Sequence, residues 1–225
     1  MAAFVTVSDQ TGTTLALPRI GHEFSTDIPT VQWMYLVYTL FISALLLPMG
    51  KLSDILGRRR IYTLGLVVFS IGAVMAYFGH QFQSLLVAKS IQGIGAAMIQ
   101  ANGMALMAES FPERQRASAI GLYMAAIGTG AVMGPVIGGL MIDTWGWRSM
   151  YLGIAIIGMF EILLSVCVIR DLAMSAKNRR DSKGIKSFDW AGAVLSAGVL
   201  SLLLVSLTYS YRLGSVSYTH LRAHE

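Results

Sequence analysis

Charge is what this sequence has least of. Acidic and basic side chains make up 13% of its 225 residues, against about 25% in an ordinary soluble domain. That shortage argues against a water-solvated globule, since 55% of the chain is hydrophobic. Cysteine is almost missing too. Cys167 stands alone in an apolar run, so it cannot form an internal disulfide and says nothing about redox compartment. Acids fall short of bases by five charges. A basic balance raises the question of nucleic acid, but the basic residues sit in short segments between apolar runs. That pattern reports membrane topology rather than a nucleic-acid surface. The opening "MAAFVTVSDQ" has neither the basic start nor the cleavage pattern of a signal peptide.

Several apolar runs approach the roughly 20 residues needed to cross a bilayer core. Hydrocarbon offers backbone groups no hydrogen-bond partner, so such runs span as helices. They are too continuous for a membrane barrel, whose strands alternate over about ten residues. The expected fold is therefore all-α and polytopic, in contact with the lipid bilayer. Spans are predicted near 32–50, 61–79, 84–108, 117–142, 149–169 and 191–210. An earlier stretch, 2–18, is short and carries Asp9, Thr11, Thr13 and Thr14. An acid at a helix centre costs about 2.5–3.5 kcal/mol on insertion scales. With that stretch included, residues 1–169 form a six-helix bundle. A basic loop, 170–190, and a seventh helix, 191–214, follow.

Basic residues decide the orientation. The loops after the second, fourth and sixth crossings hold twelve of them, and those after the first, third and fifth hold Arg19 and Arg148. Positive-inside places the twelve in the cytoplasm, with the N-terminus on the same side.

The densest charge lies in "GKLSDILGRRR", Gly50 to Arg60, with five charged residues in eleven. Gly50 and Gly57 are expected to permit a tight reversal between antiparallel helices. Asp54 either accepts backbone donors at a helix start or pairs with Arg58 or Arg59. In "GAVMGPVIGG", Gly130, Gly134 and Gly138 recur every four residues. They make a bare stripe along which another helix can approach, while Pro135 removes a backbone donor. No strand precedes this run, so it is not a nucleotide-binding loop. Three ionisable residues lie inside spans: Asp9, Lys89 and Glu161. Such groups are expensive in a membrane and face a cavity or a partner. For Asp9 and Glu161 two readings are open: binding of a proton or a cationic compound, or simple packing against a neighbouring helix. The 13 methionines either line a pliable surface for varied lipophilic substrates or simply pack. His22 and His80, expected in outer loops, have no partner at metal spacing, so no metal site is expected. No catalytic set is evident, and the chain is read as no enzyme.

These stretches carry a resemblance. "GKLSDILGRRR" is similar to the signature loop of the major facilitator superfamily of transporters through Gly50, Asp54, Gly57, Arg58 and Arg59, with Ile55 where arginine is common. "GAVMGPVIGG" resembles the fifth-helix antiporter motif through Gly130, Gly134, Pro135, Gly138 and Gly139. "LVAKSIQGIGAA" resembles the fourth-helix motif through Gln92, Gly93, Gly95, Ala96 and Ala97, with Lys89 where the family usually has an arginine implicated in proton transfer. "DQTGTTLALP" resembles the first-helix motif of the fourteen-helix drug:proton antiporters, the EmrB/QacA-type branch. Asp9, Thr11, Ala16, Leu17 and Pro18 match, and Thr14 replaces the usual asparagine.

The resemblance implies a proton-coupled exporter of lipophilic, often cationic, compounds in the cytoplasmic membrane. It implies no cofactor beyond the proton gradient, and no Walker-type loop is present to use ATP. Asp9, Lys89, Gln92 and Glu161 are the candidate coupling or substrate residues, Glu161 on burial alone. A complete carrier of this kind needs a second bundle, so the chain is read as an N-terminal fragment whose partner is the missing C-terminal bundle. Residues 215–225 include "VSYTHLRAHE", which resembles translated sequencing adapter and is read as a non-native tail. Two rivals stay open: a carrier of a metabolite or siderophore with the same fold, and a non-transporting half-bundle scaffold or sensor.

Overall fold

A computed structural model describes residues 1–173 and, beyond them, Leu195, Gly198, Val199, Leu202 and Ser206, all helical. Most of the basic loop, most of the expected seventh span and the whole 215–225 tail lie outside the described residues. Those described form helices only: α1 (Ala2–Glu23), α2 (Ile28–Val31), α3 (Trp33–Leu56), α4 (Arg58–Tyr77), α5 (Phe82–Ser110), α6 (Glu113–Trp145) and α7 (Trp147–Ala173). Among the described residues, five segments are long and apolar enough to cross a membrane: Ile28–Leu56, Arg58–Tyr77, Phe82–Ser110, Glu113–Trp145 and Trp147–Cys167. The all-α, polytopic fold is as expected.

Helix α1 is long enough to span, at 22 residues, but less apolar. Its polar side chains explain how it belongs. Thr6, Asp9 and Thr13 are buried together with Ala2, Val5, Ala16 and Ile20, so its polar face looks into protein. The helix also runs past the expected end at residue 18. Pro18 lies inside it and His22 in its last turn rather than in a loop.

The packing combines one sequential pair, α4 with α5, with pairs distant along the chain. Helix α1 lies along α6, α3 along α5, and α4 between α5 and α7. Small residues permit this. Gly95 of α5 leaves no room for a Cβ beside the Phe69 nitrogen and Gly65 carbonyl of α4, while Gly93 abuts the Tyr38 carbonyl of α3. Tyr38, Phe69 and Tyr151 are wholly enclosed where the helices converge. Leu122, Val132, Leu140, Ile156, Phe160 and Leu163 point outward, as a bilayer-facing surface requires.

The charged turn corrects one expectation. Gly50 does not help reverse the chain. It lies inside α3, which continues to Leu56, and nothing approaches where its Cβ would be. Gly57 alone makes the turn, with φ 99°, a region that glycine enters without steric penalty. Lys51, Ser53 and Asp54 propagate the helix because no breaker intervenes. At the other end of the bundle Gly146, φ 83°, separates α6 from α7 in the same way.

Candidate functional site

Asp9 and Lys89 meet. The Lys89 ammonium donates to both carboxylate oxygens of Asp9, at 2.9 and 3.0 Å, and to Thr13 Oγ1 at 3.0 Å. Their side chains are 0% and 1% exposed. Thr13 lies one helical turn from Asp9, so α1 presents a carboxylate and a hydroxyl on one face. Lys89 reaches them from α5. Its ammonium also sits 5.3 Å from the Tyr38 ring centroid and 4.8 Å from that of Tyr151, placing electron-rich faces around the cation. Tyr38 donates its hydroxyl to the Thr6 carbonyl at 3.3 Å. Four helices thus supply the surroundings: α1, α3, α5 and α7.

A buried ion pair is held only where attraction and hydrogen bonds offset the loss of hydration, and removing one partner strands the other. Both Asp9 oxygens are engaged, which fixes the lysine. Gln92, one turn along α5 from Lys89, is wholly buried, yet neither end of its amide has a partner. It lies against Gly72 of α4, whose missing side chain makes space for it. Gln92 is therefore beside the pair in sequence, and the stem of its side chain packs against α4.

Glu161 is not brought to the pair. It is buried on the face of α7 that packs against α4. The glycine stripe meets α1: Gly130 abuts the Phe4 carbonyl, Gly134 abuts Ser8, and Gly138 abuts Gly12. Gly139 lies beside Leu15, Pro135 is inside α6, and Thr11 bonds to the Val7 carbonyl at 3.0 Å. The stripe therefore holds the Asp9-bearing helix closely against α6.

At the turn, Arg58 pairs with Asp54 through Nε at 3.1 Å and Nη2 at 3.0 Å, and with Glu109 of α5 at 2.9 Å. Arg59 instead lines a cavity of about 300 Å³ with Tyr62 and Tyr123, and its Nη1 is buried without a partner. At the opposite end Arg148 pairs with Glu23 and donates to the Gly79 carbonyl at 3.1 Å. Trp147 donates to the same Glu23, and Arg19 pairs with Asp143. Glu109, Tyr38 and Tyr151 carried no signal in sequence, because their partners are distant along the chain. Among the described residues, no group of histidine, cysteine, aspartate or glutamate side chains is placed to hold a metal.

A bundle of membrane-length helices that encloses a charged pair and carries a charged turn at one end is the build of a polytopic membrane protein. The comparisons name the family. The Major Facilitator Superfamily matches residues 1–221, and the chain belongs to it. It is 30% identical over 207 residues to the riboflavin transporter RibZ of Clostridioides difficile, covering 92% of this chain and 44% of that protein. It is 32% identical over 171 residues to the multidrug resistance protein Stp of Mycobacterium tuberculosis, covering 76% of this chain and 32% of that protein. With a probable actinorhodin transporter of Streptomyces coelicolor it shares 31% over 211 residues, 92% of this chain and 35% of the relative. The chain therefore spans about a third to less than half of the length of these curated relatives. In fold it is similar to the crystal structure of a bacterial homologue of the human lysosomal transporter Spinster in an inward-facing, occupied conformation. The TM-score is 0.66 and the identity 22%, over 73% of this chain and 41% of that one. The family and these relatives are transporters rather than enzymes.

Proposed function

We propose that this chain is the N-terminal part of a proton-coupled exporter of lipophilic, often cationic, organic compounds, of the fourteen-helix drug:proton antiporter branch. It would work in the cytoplasmic membrane with its N-terminus inside. The observation that carries the reading is the buried Asp9–Lys89 pair, both oxygens engaged, on α1 and α5. Relatives named for multidrug resistance and for actinorhodin transport support the substrate class.

The pair supplies a mechanism. The Asp9 carboxylate holds one positive partner at a time: the Lys89 ammonium, a proton or a cationic substrate. Protonating Asp9 cancels the charge that keeps Lys89 in place. A cationic compound displaces the proton, so binding one expels the other. That competition is antiport. In the complete carrier, the compound binds near the bilayer midplane between this bundle and a second one, and rocking exposes the site to either side. The Asp54–Arg58–Glu109 cluster steadies the cytoplasmic end against that second bundle. The proton gradient is the only energy source required.

Proteoliposomes of the protein expressed from the completed gene test the reading. Added drug is expected to stimulate proton flux, and Asp9→Asn to abolish it while the protein still inserts. Unchanged flux in Asp9→Asn would remove the pair from the mechanism. A second reading, carriage of a metabolite, is favoured by the riboflavin-transporting relative. It predicts proton-coupled movement of that metabolite with no drug resistance.

A further inference from the structure

Glu161 is an acid for which the Asp9 site has no use. It is 6% exposed, and its Oε1 has no hydrogen-bond partner. Along α7 it lies between two contacts with α4. On one side is Gly158, whose missing Cβ leaves the space taken by the Ser70 hydroxyl. On the other is Ser165, whose hydroxyl stands 2.8 Å from that of Thr63. Ser70 Oγ is also buried and without a partner. One helix seam therefore encloses a carboxyl oxygen and a hydroxyl, both unsatisfied. Buried polar groups are nearly always hydrogen-bonded, to ordered water where protein offers nothing.

The groups that face Glu161 electrostatically are the Tyr62 phenol of α4 and the Met1 amino group of α1, with Tyr123 of α6 acting on Tyr62. No lysine or arginine side chain is among them. Lys89 is held by Asp9 and Thr13, and Arg58 by Asp54 and Glu109, while Arg59 lines the cavity shared with Met1, Tyr62 and Tyr123 and makes no ion pair with Glu161. Among the described residues no side chain forms an ion pair with Glu161, and the one positive group acting on it is the Met1 amino group. Its unpartnered Oε1 is the kind of buried atom that a proton or a water molecule satisfies.

We propose that Glu161 is a second protonation site of the bundle, taking up and releasing a proton through water held in the α4–α7 seam beside Ser70. The site is separate from Asp9 and does not depend on Asp9's role in transport. Protonation seals the seam with a neutral acid, and ionisation draws water into it.

Dicyclohexylcarbodiimide, which attacks protonated carboxyl groups in apolar surroundings, tests this on the whole chain in membranes, with peptide mapping by mass spectrometry. The adduct is expected on the Glu161 peptide, declining as pH rises. It should persist in Asp9→Asn and vanish in Glu161→Gln. Ser70→Val, which fills the seam without touching the acid, is expected to change the labelling rate several-fold. An adduct confined to Asp9, no adduct at all, labelling of Glu161 unaltered across the pH range in which the protein stays folded, or a Ser70→Val rate equal to wild type would each overturn the proposal.

Discussion

At the scale of single residues, the Asp9–Lys89 pair makes the sharpest demand on stability. Lys89→Met leaves a carboxylate enclosed with no cation, and breaking such a pair from one side costs about 3–5 kcal/mol. Asp9→Asn combined with Lys89→Met removes both charges and should recover most of that loss. Reversible unfolding in detergent measures both. A double variant as unstable as the single one would show that the destabilisation comes from packing against Tyr38 and Tyr151 instead. The sequence revealed that Asp9 and Lys89 were costly residues in the wrong solvent. It did not reveal that each was the other's partner, because they are 80 residues apart. Thr13 was visible as a polar residue in a doubtful span. The two tyrosines looked like any aromatic in an apolar run.

At the scale of elements, glycines in similar motifs have opposite roles. Gly50 is helical with open space at its missing Cβ, so Gly50→Ala should be neutral or stabilise by about 0.5–1 kcal/mol through helix propensity. Gly57 has φ 99°, and Gly57→Ala should cost about 1–2 kcal/mol through Cβ crowding. Gly134→Ala would place a Cβ 2.7 Å from the Ser8 Cα. It should cost about 1–3 kcal/mol as α1 and α6 are forced apart. Unfolding midpoints of the three variants, compared under one condition, check the order. The motif read from sequence treated Gly50 and Gly57 alike, since spacing shows where glycine occurs but not which torsion it adopts. The stripe from Gly130 to Gly138 was legible as a surface for close approach. That α1 is the helix which approaches was not legible.

At the scale of the whole molecule, the described turns fall into two sets at opposite ends of the bundle. Glu23, Gly79 and Arg148 meet at one end, and Asp54, Arg58 and Glu109 meet at the other. The excess of basic residues lies with the second set, so that end is expected to be cytoplasmic. In a Cys167→Ser background, a membrane-impermeant maleimide should label His80→Cys in intact cells and leave Arg60→Cys unlabelled until the cells are opened. The reverse pattern would invert the topology and the direction of export drawn from it.

The sequence by itself determined the solvent and the five long apolar helices found among the described residues, while the first, more polar helix stayed doubtful on hydropathy. These follow from composition and local hydropathy: lipid tolerates neither bare backbone nor unpaired charge, wherever the helices later pack. It also supplied the order of motifs that marked the family. Only the tertiary structure decided which helices lie together, that Asp9 holds Lys89, and that Glu161 is sealed against α4 instead of joining them. Those facts depend on rotation and register between helices distant along the chain. Such choices are settled by small residues, close approach and the need to satisfy buried polar groups, all of which act only once the helices are in contact.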